Sequence, residues 1–528
     1  MIQQLTKQSR PTTSTGNLAG FLLRTAEKDP KKQAIVFENT ATTYGELLNR
    51  TQAVAHQLQT LGITKGDKVG LLFANNPEFI SCFFAVVGLG GVVVPVNPLL
   101  KSEEIAHILS DSGAKALIVQ ALALDEALSA LPHTPDLQHL IISPAIPKTT
   151  PIHSLPALLN CVELTNQKQA PQKIVLAENT NADTDLALIV YTSGTTGKPK
   201  GAMLSHSNLT AVMPGPLMGH CGVSANDKWL AMLPLCHIYG LGAIAFSTVA
   251  IGGTIVILEK FDPVVALETI QKERITLLPA VPSMYQFMLM EMGKTTYDVS
   301  SIRVCFSGAA ALSAELMEQT HQAFGVPVVE GYALSETACG ATINRLDARK
   351  IGSVGTALVG VEVGIFSDEG APLAAGKNNV GEIGVKGANI MRGYHNQPEA
   401  TADVMRDGWF LTGDLGYCDE DGYIFIVGRK KEMIIRGGQN IYPREIEDVI
   451  ARIPGVRETA VIGVPDSYMG ERVKAIIVPQ AHAKLSEDGI KEFCSAHLAP
   501  YKVPRLIEFR SDLLPRNSTG KVLKRLLS

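Results

Sequence analysis

The chain has 528 residues, of which 46% are hydrophobic and 19% are charged. This length exceeds one ordinary domain, so two or more domains are expected. The 47 basic and 51 acidic residues leave a formal net charge of −4. That balance gives no electrostatic reason to expect nucleic acid or an anionic membrane surface as a partner.

The cysteines and the N-terminal segment indicate the compartment. Eight cysteines are scattered without a Cys-x-x-Cys pair, which argues against a disulfide framework or a zinc site and favours a reducing environment. The first 26 residues are rich in Ser and Thr and contain no acidic residue. They are read either as a transit peptide or, more simply, as a frayed polar start. A cytoplasmic location is therefore expected.

Two uncharged runs, Phe79–Val96 and Trp229–Leu258, are long enough for membrane spans. Glycine and proline residues interrupt both of them, so each is predicted to form soluble core. The first run is expected to fold as a buried helix, a turn and a buried strand.

Strand and helix patterns alternate from residue 33 onward. Short strands are predicted at Gln33–Phe37, Lys68–Phe73, Val92–Val96 and Lys115–Val119. Helices are predicted after the capping-box sequence that begins at Thr43, over Pro77–Val87, and after Ser102 as a cap. This alternation predicts a mainly parallel sheet covered by helices, and hence the α/β class.

The remaining segments differ in character. Residues 132–185 are rich in Pro, Thr and Gln and are predicted to form loops, whereas residues 186–340 form a second α/β stretch. Short strands separated by glycines over residues 353–427 predict a β-rich subdomain. The tail is predicted to be a small α+β domain in which Pro443 lies in the first turn of a helix.

The strongest local feature is the Ser-, Thr- and Gly-rich segment Tyr191–Gly201, which follows the apolar run Leu186–Val190. Backbone N–H groups and hydroxyls in such a segment can surround phosphate oxygens, and its lysines supply positive charge. It is not a Walker A loop, because only two residues separate Gly194 from Gly197 and Pro199 follows the lysine. The segment predicts a different kind of phosphate site.

This segment resembles the phosphate loop of the adenylate-forming superfamily, which comprises acyl-CoA synthetases, peptide-synthetase adenylation domains and firefly-type luciferases. Five further motifs of that superfamily recur in order, at Leu233–His237, Gly331–Thr337, Trp409–Asp414, Gly428–Gly438 and Pro515–Lys521. The stretches Met391–Asp414 and Asn440–Glu445 resemble bacterial medium- and long-chain fatty acid–CoA ligases. The resemblance implies an enzyme that uses ATP to convert a carboxylic acid to its acyl-adenylate and passes the acyl group to coenzyme A.

The resemblance also implies which residues bind the nucleotide. Tyr332 would offer a flat face to adenine, Asp414 would accept hydrogen bonds from the ribose, and Arg429 would add a ribose or phosphate contact. The nucleotide-binding residues expected in full are Thr192, Ser193, Gly194, Thr195, Thr196, Gly197, Lys198, Gly308, Ala309, Ala310, Gly331, Tyr332, Thr337, Asp414 and Arg429.

Three residues are expected to act at the reacting groups. By resemblance, Glu336 helps to hold Mg²⁺, an ordinary arrangement for a carboxylate beside phosphates. His237 would orient the acid, and Lys521 would bridge the acyl carboxylate and the α-phosphate. Without the motifs, they would be read as a surface glutamate, a core histidine and part of a basic tail.

A domain movement is expected to separate the two half-reactions. Lys431 falls at the family's hinge position, so a large domain over residues 1–430 and a small mobile domain over 431–528 are expected. Rotation would withdraw Lys521 and bring the segment Arg436, Gly437 and Gly438 to the site, where glycines leave room for a pantetheine arm. A plain hairpin turn at the two glycines is compatible with that role.

The acid remains open at this point. The apolar stretch Gly240–Ile244 after His237 predicts a roomy pocket without a charge to pair a second carboxylate, which disfavours dicarboxylic acids. A medium- or long-chain fatty acid is the main expectation, and an aromatic acid is the second. Loading of a separate acyl carrier protein and a luciferase-like oxygenase activity also stay open. A catalytically silent nucleotide-binding protein is disfavoured by the presence of both Glu336 and Lys521.

Overall fold

The computed structural model describes residues 16–143, 159–165, 176, 180–192, 199–516 and 521–527. Within these ranges the strands form four sheets. The predicted phosphate-binding residues Ser193, Gly194, Thr195, Thr196, Gly197 and Lys198 lie outside the described residues.

The smaller α/β sheet contains the first predicted strands. Its strands, in spatial order, are Asn160–Glu163, His139–Ser143, Ala114–Gln120, Lys68–Leu72, Val92–Val96, Leu186–Thr192 and Lys200–Ser205. The pairings are parallel apart from the last one, which is antiparallel. Every residue of Val92–Val96 is buried, as expected for a parallel strand that is covered on both faces.

The prediction of loops over residues 132–185 is wrong where the structure places strands His139–Ser143 and Asn160–Glu163. Both strands extend the smaller α/β sheet in parallel, and Leu140, Ile141 and Ile142 are fully buried. These short apolar runs are flanked by polar residues, so the sequence pattern does not indicate strands there. Ser102 is also not a cap: the helix begins there, and the Glu104 carboxylate accepts the backbone N–H of Lys101 at 3.1 Å.

The larger α/β sheet spans both ends of the N-terminal region. Its strands, in spatial order, are Thr356–Ala357, Thr342–Ile343, Val328–Tyr332, Val304–Ser307, Leu277–Ala280, Lys228–Ala231, Thr254–Ile257, Gln33–Phe37 and Thr40–Thr43. The central pairings are parallel. Trp229 stacks on Phe306 with ring centroids 5.6 Å apart, which joins two of these strands through their side chains.

The β-subdomain is antiparallel and contains strands Val361–Phe366, Gly381–Gly387, Trp409–Cys418, Met405–Arg406 and Ile424–Arg429. The C-terminal sheet contains strands Gln439–Ile441, Ile434–Arg436, Gly470–Pro479, Val456–Asp466 and Leu506–Phe509. Gly437 and Gly438 form the two-residue turn between its first two strands, with φ of +58° and +77°. Two positive φ values in such a turn favour glycine at both positions.

Helices cover these sheets. The α-helices are Ala19–Lys28, Tyr44–Thr60, Pro77–Gly88, Ser102–Ser112, Leu124–Ala130, His206–Val212, Gly215–Cys221, Ser247–Ile251, Pro263–Glu273, Pro282–Met292, Ala314–Phe324, Pro398–Val404, Pro443–Ile450 and Glu487–His497. Thr43 and Glu46 form the predicted capping box, and Pro443 occupies the first turn of its helix as predicted. No helix of the described ranges is long and apolar enough to cross a membrane.

A π-helix, Tyr239–Phe246, follows His237 closely. Such helices are rare and are frequently found at functional sites. Gly240 makes this one possible, because a Cβ atom at that position would lie 2.2 Å from the carbonyl oxygen of Pro234. The backbone therefore passes closely beside the segment that carries His237.

Candidate active site

A cavity of about 1240 Å³ lies where strands of both α/β sheets end, beside the β-subdomain and the C-terminal tail. Strand ends contribute Thr192, Ser307, Tyr332 and Arg429 to its wall, and the tail contributes Lys521. Carboxyl ends of parallel strands are the usual position of ligand sites in open α/β sheets. The cavity therefore brings together residues that lie far apart in the sequence.

The expected ribose site is a hydrogen-bonded group of three side chains. The Tyr332 hydroxyl donates to Asp414 Oδ2 at 2.6 Å, and Arg429 Nε lies 2.9 Å from Asp414 Oδ1. Burial, and then the adjacent Asp414 carboxylate, raises the pKa of Tyr332. The phenol therefore stays protonated as a donor and fixes the carboxylate. A carboxylate oxygen has two lone pairs, so Asp414 can still accept from a ribose hydroxyl.

The predicted nucleotide-binding residues Gly308, Ala309 and Ala310 lie beside this group. Gly308 and Ala309 line the cavity, and Ala309 has a φ of +65°. Ala310 lines an adjoining cavity of about 470 Å³ that also contacts Tyr332 and Asp414. A Cβ atom at Gly308 would lie 3.4 Å from the ring of Tyr239, which is an ordinary van der Waals contact.

Two predicted site residues of the Ser335–Thr337 turn, Glu336 and Thr337, differ in their placement. Glu336 lines the cavity with 8% of its surface exposed, and its Oε1 accepts from the Tyr394 hydroxyl at 2.9 Å. Thr337 is fully buried, and its side-chain oxygen accepts the backbone N–H of Leu334 at 2.9 Å. The structure therefore brings Glu336, but not the Thr337 side chain, to the cavity wall.

One part of the cavity wall, formed by described residues numbered 212 to 309 and here called the inner wall, carries no formal charge. These described lining residues include no Asp, Glu, Lys or Arg. Trp229, Phe306 and Tyr239 provide aromatic surface there. Cys236 and Cys339 also line the cavity, and burial raises the pKa of each thiol to about 12.

His237 also lines this wall, and burial lowers its pKa from 6.5 to about 4. The imidazole is therefore neutral near pH 7 and can orient an acid only as a neutral partner.

The lowered pKa of His237 predicts that acid destabilises the fold. Between pH 6.5 and 4, the folded protein binds fewer protons at this residue than the unfolded chain does. The contribution of His237 to the free energy of unfolding is therefore fully present above that range and is lost as pH falls through it. We expect the urea concentration at the unfolding midpoint to decrease when the pH is lowered from about 7.5 to about 5.0. The decrease should be smaller for His237→Asn. Exposed His482 provides the control, since His482→Asn should keep the wild-type pH dependence. Equal pH dependence in both variants would contradict the assignment.

Lys521 reaches the cavity from an anchored tail. Burial, with Arg429 nearby, lowers the pKa of Lys521, while Asp414 and Glu432 oppose that shift. Three residues further on, Lys524 Nζ lies 2.7 Å from Glu447 Oε1 and 3.4 Å from Glu432 Oε2. Buried Leu527 packs in an apolar cluster of the C-terminal sheet. These contacts hold the tail with Lys521 at the cavity.

The residues expected at the thiol entrance lie elsewhere. Gly437 and Gly438 are exposed and are not among the described residues that line the cavity, and Arg436 Nη1 donates to the Tyr501 carbonyl at 2.9 Å. Lys431 lines the cavity from a short turn directly after strand Ile424–Arg429. The observed arrangement therefore carries Lys521, and not the glycine hairpin, to the cavity.

Known proteins are similar to this chain in both sequence and architecture. The family profile for the AMP-binding enzyme matches residues 22–395, and that for the AMP-binding enzyme C-terminal domain matches residues 445–521.

The chain belongs to the AMP-binding enzyme family.

Individual relatives agree with this assignment. A long-chain-fatty-acid–CoA ligase of Bacillus subtilis is 36% identical, over 97% of this chain and 94% of the relative. A feruloyl-CoA synthase of Amycolatopsis sp is 37% identical, over 96% and 97% respectively. The crystal structure of ATP-bound MatB from Rhodopseudomonas palustris superposes with a TM-score of 0.85 at 33% identity, covering 97% of this chain and 98% of that one.

These matches confirm three predictions for this AMP-binding enzyme. They confirm the resemblance to adenylate-forming enzymes, the α/β fold with a large N-terminal and a small C-terminal domain, and the class of AMP-forming acyl-CoA synthetase that uses ATP. The motifs of the sequence therefore indicate the correct family.

Tyr394 is a residue of the AMP-binding enzyme's site that sequence reasoning misses. It belongs to the stretch beginning at Met391 that carries the resemblance, yet that stretch indicates no role for it. The hydrogen bond from its hydroxyl to Glu336 joins positions 58 residues apart, and no local sequence pattern predicts such a contact. Trp229, in a buried part of its strand, likewise looks like a core residue in the sequence.

Proposed function

We propose that this enzyme joins a medium- or long-chain fatty acid to coenzyme A through an acyl-adenylate. One observation carries the proposal: a single cavity joins Lys521 and Glu336 to an inner wall that has no formal charge. The polar part suits the phosphates of ATP, and the apolar part suits a hydrocarbon chain. The named fatty acid–CoA ligase relative supports this choice of substrate.

The proposed reaction has two displacements. In the first, a carboxylate oxygen of the acid attacks the α-phosphorus of ATP and pyrophosphate leaves. Negative charge accumulates during this step, so a cation fixed at the cavity lowers the barrier. Lys521 supplies that cation, and neutral His237 orients the acid. In the second displacement, the thiol sulfur of coenzyme A attacks the acyl carbonyl carbon and AMP leaves.

Mg²⁺ is proposed as the metal of the first step. In the described part of the chain, no group of three or more His, Cys, Asp or Glu side chains is arranged to hold a metal ion. The Glu336 carboxylate on the cavity wall fits Mg²⁺, which commonly binds one or two carboxylates and completes its shell with substrate phosphates and water. Glu336 supplies the protein carboxylate, and the ion would neutralise charge on the nucleotide phosphates.

A rotation of the small domain is proposed for the second step. The proposed domains are residues 1–430 and 431–528, with Lys431 at the hinge. Rotation would remove Lys521 and bring Arg436, Gly437 and Gly438 toward the acyl-adenylate. The observed position of the hairpin away from the cavity supports a two-state cycle, since the hairpin can serve the second step only after it moves.

An aromatic acid is the second candidate. The stacked pair of Trp229 and Phe306 lines the inner wall and would pack against an aryl ring. The identity to a named feruloyl-CoA synthase supports it to a similar degree as the fatty acid relative does.

The distinguishing experiment measures AMP release by the purified protein with acetate, hexanoate, dodecanoate, palmitate, benzoate and coumarate, each with and without coenzyme A. We expect release that depends on coenzyme A and is largest with dodecanoate or palmitate. A maximum with coumarate would replace the fatty acid by an aromatic one. Adenylate formation without any use of coenzyme A would instead indicate an acyl carrier protein as acceptor.

A further inference from the structure

Residues 389–395, here called the brace segment, cross the turn that carries Glu336. The Asn389 side-chain amide donates to the Thr337 carbonyl at 3.1 Å and to the Gly340 carbonyl at 2.6 Å. The backbone N–H of Met391 donates to the Glu336 carbonyl at 2.8 Å. The brace segment therefore holds the backbone of the turn at Glu336 and at the residues that follow it.

The brace segment also pairs with strand Lys200–Ser205, which follows the predicted phosphate loop. Arg392 N–H donates to the Met203 carbonyl at 2.8 Å, and Met203 N–H donates to the Gly393 carbonyl at 3.0 Å. His395 N–H donates to the Gly201 carbonyl at 2.8 Å. Backbone bonds to both the turn and the strand fix the position of one relative to the other.

Tyr394 is the brace residue whose side chain reaches the Glu336 carboxylate. The residue is 9% exposed, Lys200 Nζ lies 5.2 Å from the ring centroid, and its backbone N–H donates to Thr401 Oγ1 at 2.8 Å. Both the ring and the backbone of Tyr394 are therefore held in place. Its hydroxyl, in turn, donates a hydrogen bond to the Glu336 carboxylate.

We propose that Tyr394 is a positioning residue for metal binding, whose hydroxyl holds one oxygen of Glu336 and leaves the other oxygen for Mg²⁺. The inference rests on the role proposed above for Glu336. A glutamate side chain has several rotatable bonds, and holding it in one rotamer before the metal arrives lowers the entropy lost on binding. Without the hydroxyl, the carboxylate would have to be ordered by the metal itself.

The test compares Tyr394→Phe, Glu336→Gln and the control Tyr423→Phe with the wild type. The Tyr423 hydroxyl donates to the Ala348 carbonyl, and Tyr423 is not among the described residues that line the cavity. Tyr423→Phe therefore removes a tyrosine hydroxyl, as Tyr394→Phe does, but away from the cavity. Three quantities are measured. They are Mn²⁺ binding by electron paramagnetic resonance with a non-hydrolysable ATP analogue, the Mg²⁺ concentration for half-maximal adenylate formation, and conversion of supplied acyl-adenylate to thioester.

We expect Tyr394→Phe to weaken Mn²⁺ binding and to raise the Mg²⁺ requirement by about tenfold, the size expected for one bond to a charged group. Thioester formation from supplied adenylate should stay within about twofold of wild type, which also shows that the variant is folded. In the Glu336→Gln background, removing the hydroxyl should add little, because a positioning residue acts through its partner.

Three results would overturn the inference. Unchanged Mn²⁺ binding in Tyr394→Phe, with Glu336→Gln impaired, would refute the positioning role while leaving the metal role of Glu336 intact. Unchanged Mn²⁺ binding in Glu336→Gln would refute the proposed metal role, and the inference with it. A higher KM for ATP at saturating Mg²⁺, with the Mg²⁺ requirement unchanged, would mean that Tyr394 contacts the nucleotide directly.

Discussion

Lys521→Ala is expected to lower acyl-adenylate formation by about 10²–10³-fold, the usual cost of removing one preorganised electrostatic group. Conversion of supplied acyl-adenylate to thioester should stay within about twofold of wild type. The tail is anchored independently by Lys524 and Leu527, so the substitution removes the ammonium group without releasing the segment. Pyrophosphate release with acid and ATP measures the first half-reaction, and thioester formation from synthetic adenylate measures the second.

The matched control is Lys491→Ala, which removes a lysine from an exposed face of a helix in the same domain. Surface ion pairs of this kind contribute little, so both half-reactions should be unchanged. If Lys521→Ala retained adenylate formation, the role proposed for Lys521 would be wrong. Loss of both half-reactions would indicate a general structural role for the residue.

Gly438→Leu is expected to have the opposite effect. Thioester formation should fall by at least about 10²-fold, because a side chain would narrow the path proposed for the pantetheine arm and misplacement near the reacting groups is costly. Adenylate formation should change little, since the hairpin lies away from the cavity that contains Lys521. Apart from Gly438 itself and its two chain neighbours, no described residue has an atom within 4 Å of the position that a Cβ at Gly438 would occupy, so the observed arrangement has space for the side chain. The same two half-reaction assays measure both effects.

Backbone strain needs its own control, because Gly438 has a φ of +77° and leucine is disfavoured there. Gly422 offers that control: its φ is +84°, its Cβ position is equally open, and it lies in an exposed turn of the β-subdomain. Gly422→Leu carries the same strain and should leave thioester formation unchanged. Equal losses in the two variants would attribute the Gly438 effect to strain and would refute the proposed thiol path.

The sequence predicts elements well where local physics determines them. Strand Val92–Val96, the capping box at Thr43 and the helix at Pro443 follow from apolar runs, cap residues and proline, and all three are observed. Strand His139–Ser143 escapes prediction because a short apolar run inside a polar region carries too weak a local signal. Its formation depends on pairing with Ala114–Gln120, a tertiary contact that no local pattern encodes.

At the site too, local sequence motifs predict some features and tertiary contacts determine the others. Motifs identify Tyr332, Asp414 and Arg429, but only the structure shows that one carboxylate is held by the other two side chains. The resemblance places Thr337 among the nucleotide-binding residues, and the structure adds that its side-chain oxygen accepts the backbone N–H of Leu334 in the same turn. Residue type and order predict which side chains belong to a site, whereas the direction of each side chain depends on neighbours distant in sequence.

The two thiols that line the cavity, those of Cys236 and Cys339, affect the lifetime of the activated acid. An acyl-adenylate is an electrophile, and a thiolate is the strong nucleophile among protein groups. With a pKa of about 12, Cys236 and Cys339 are ionised to only about one part in 10⁵ at neutral pH. Both therefore remain weak competitors for the acyl group, self-acylation of the enzyme is suppressed, and the intermediate is kept for the incoming thiol.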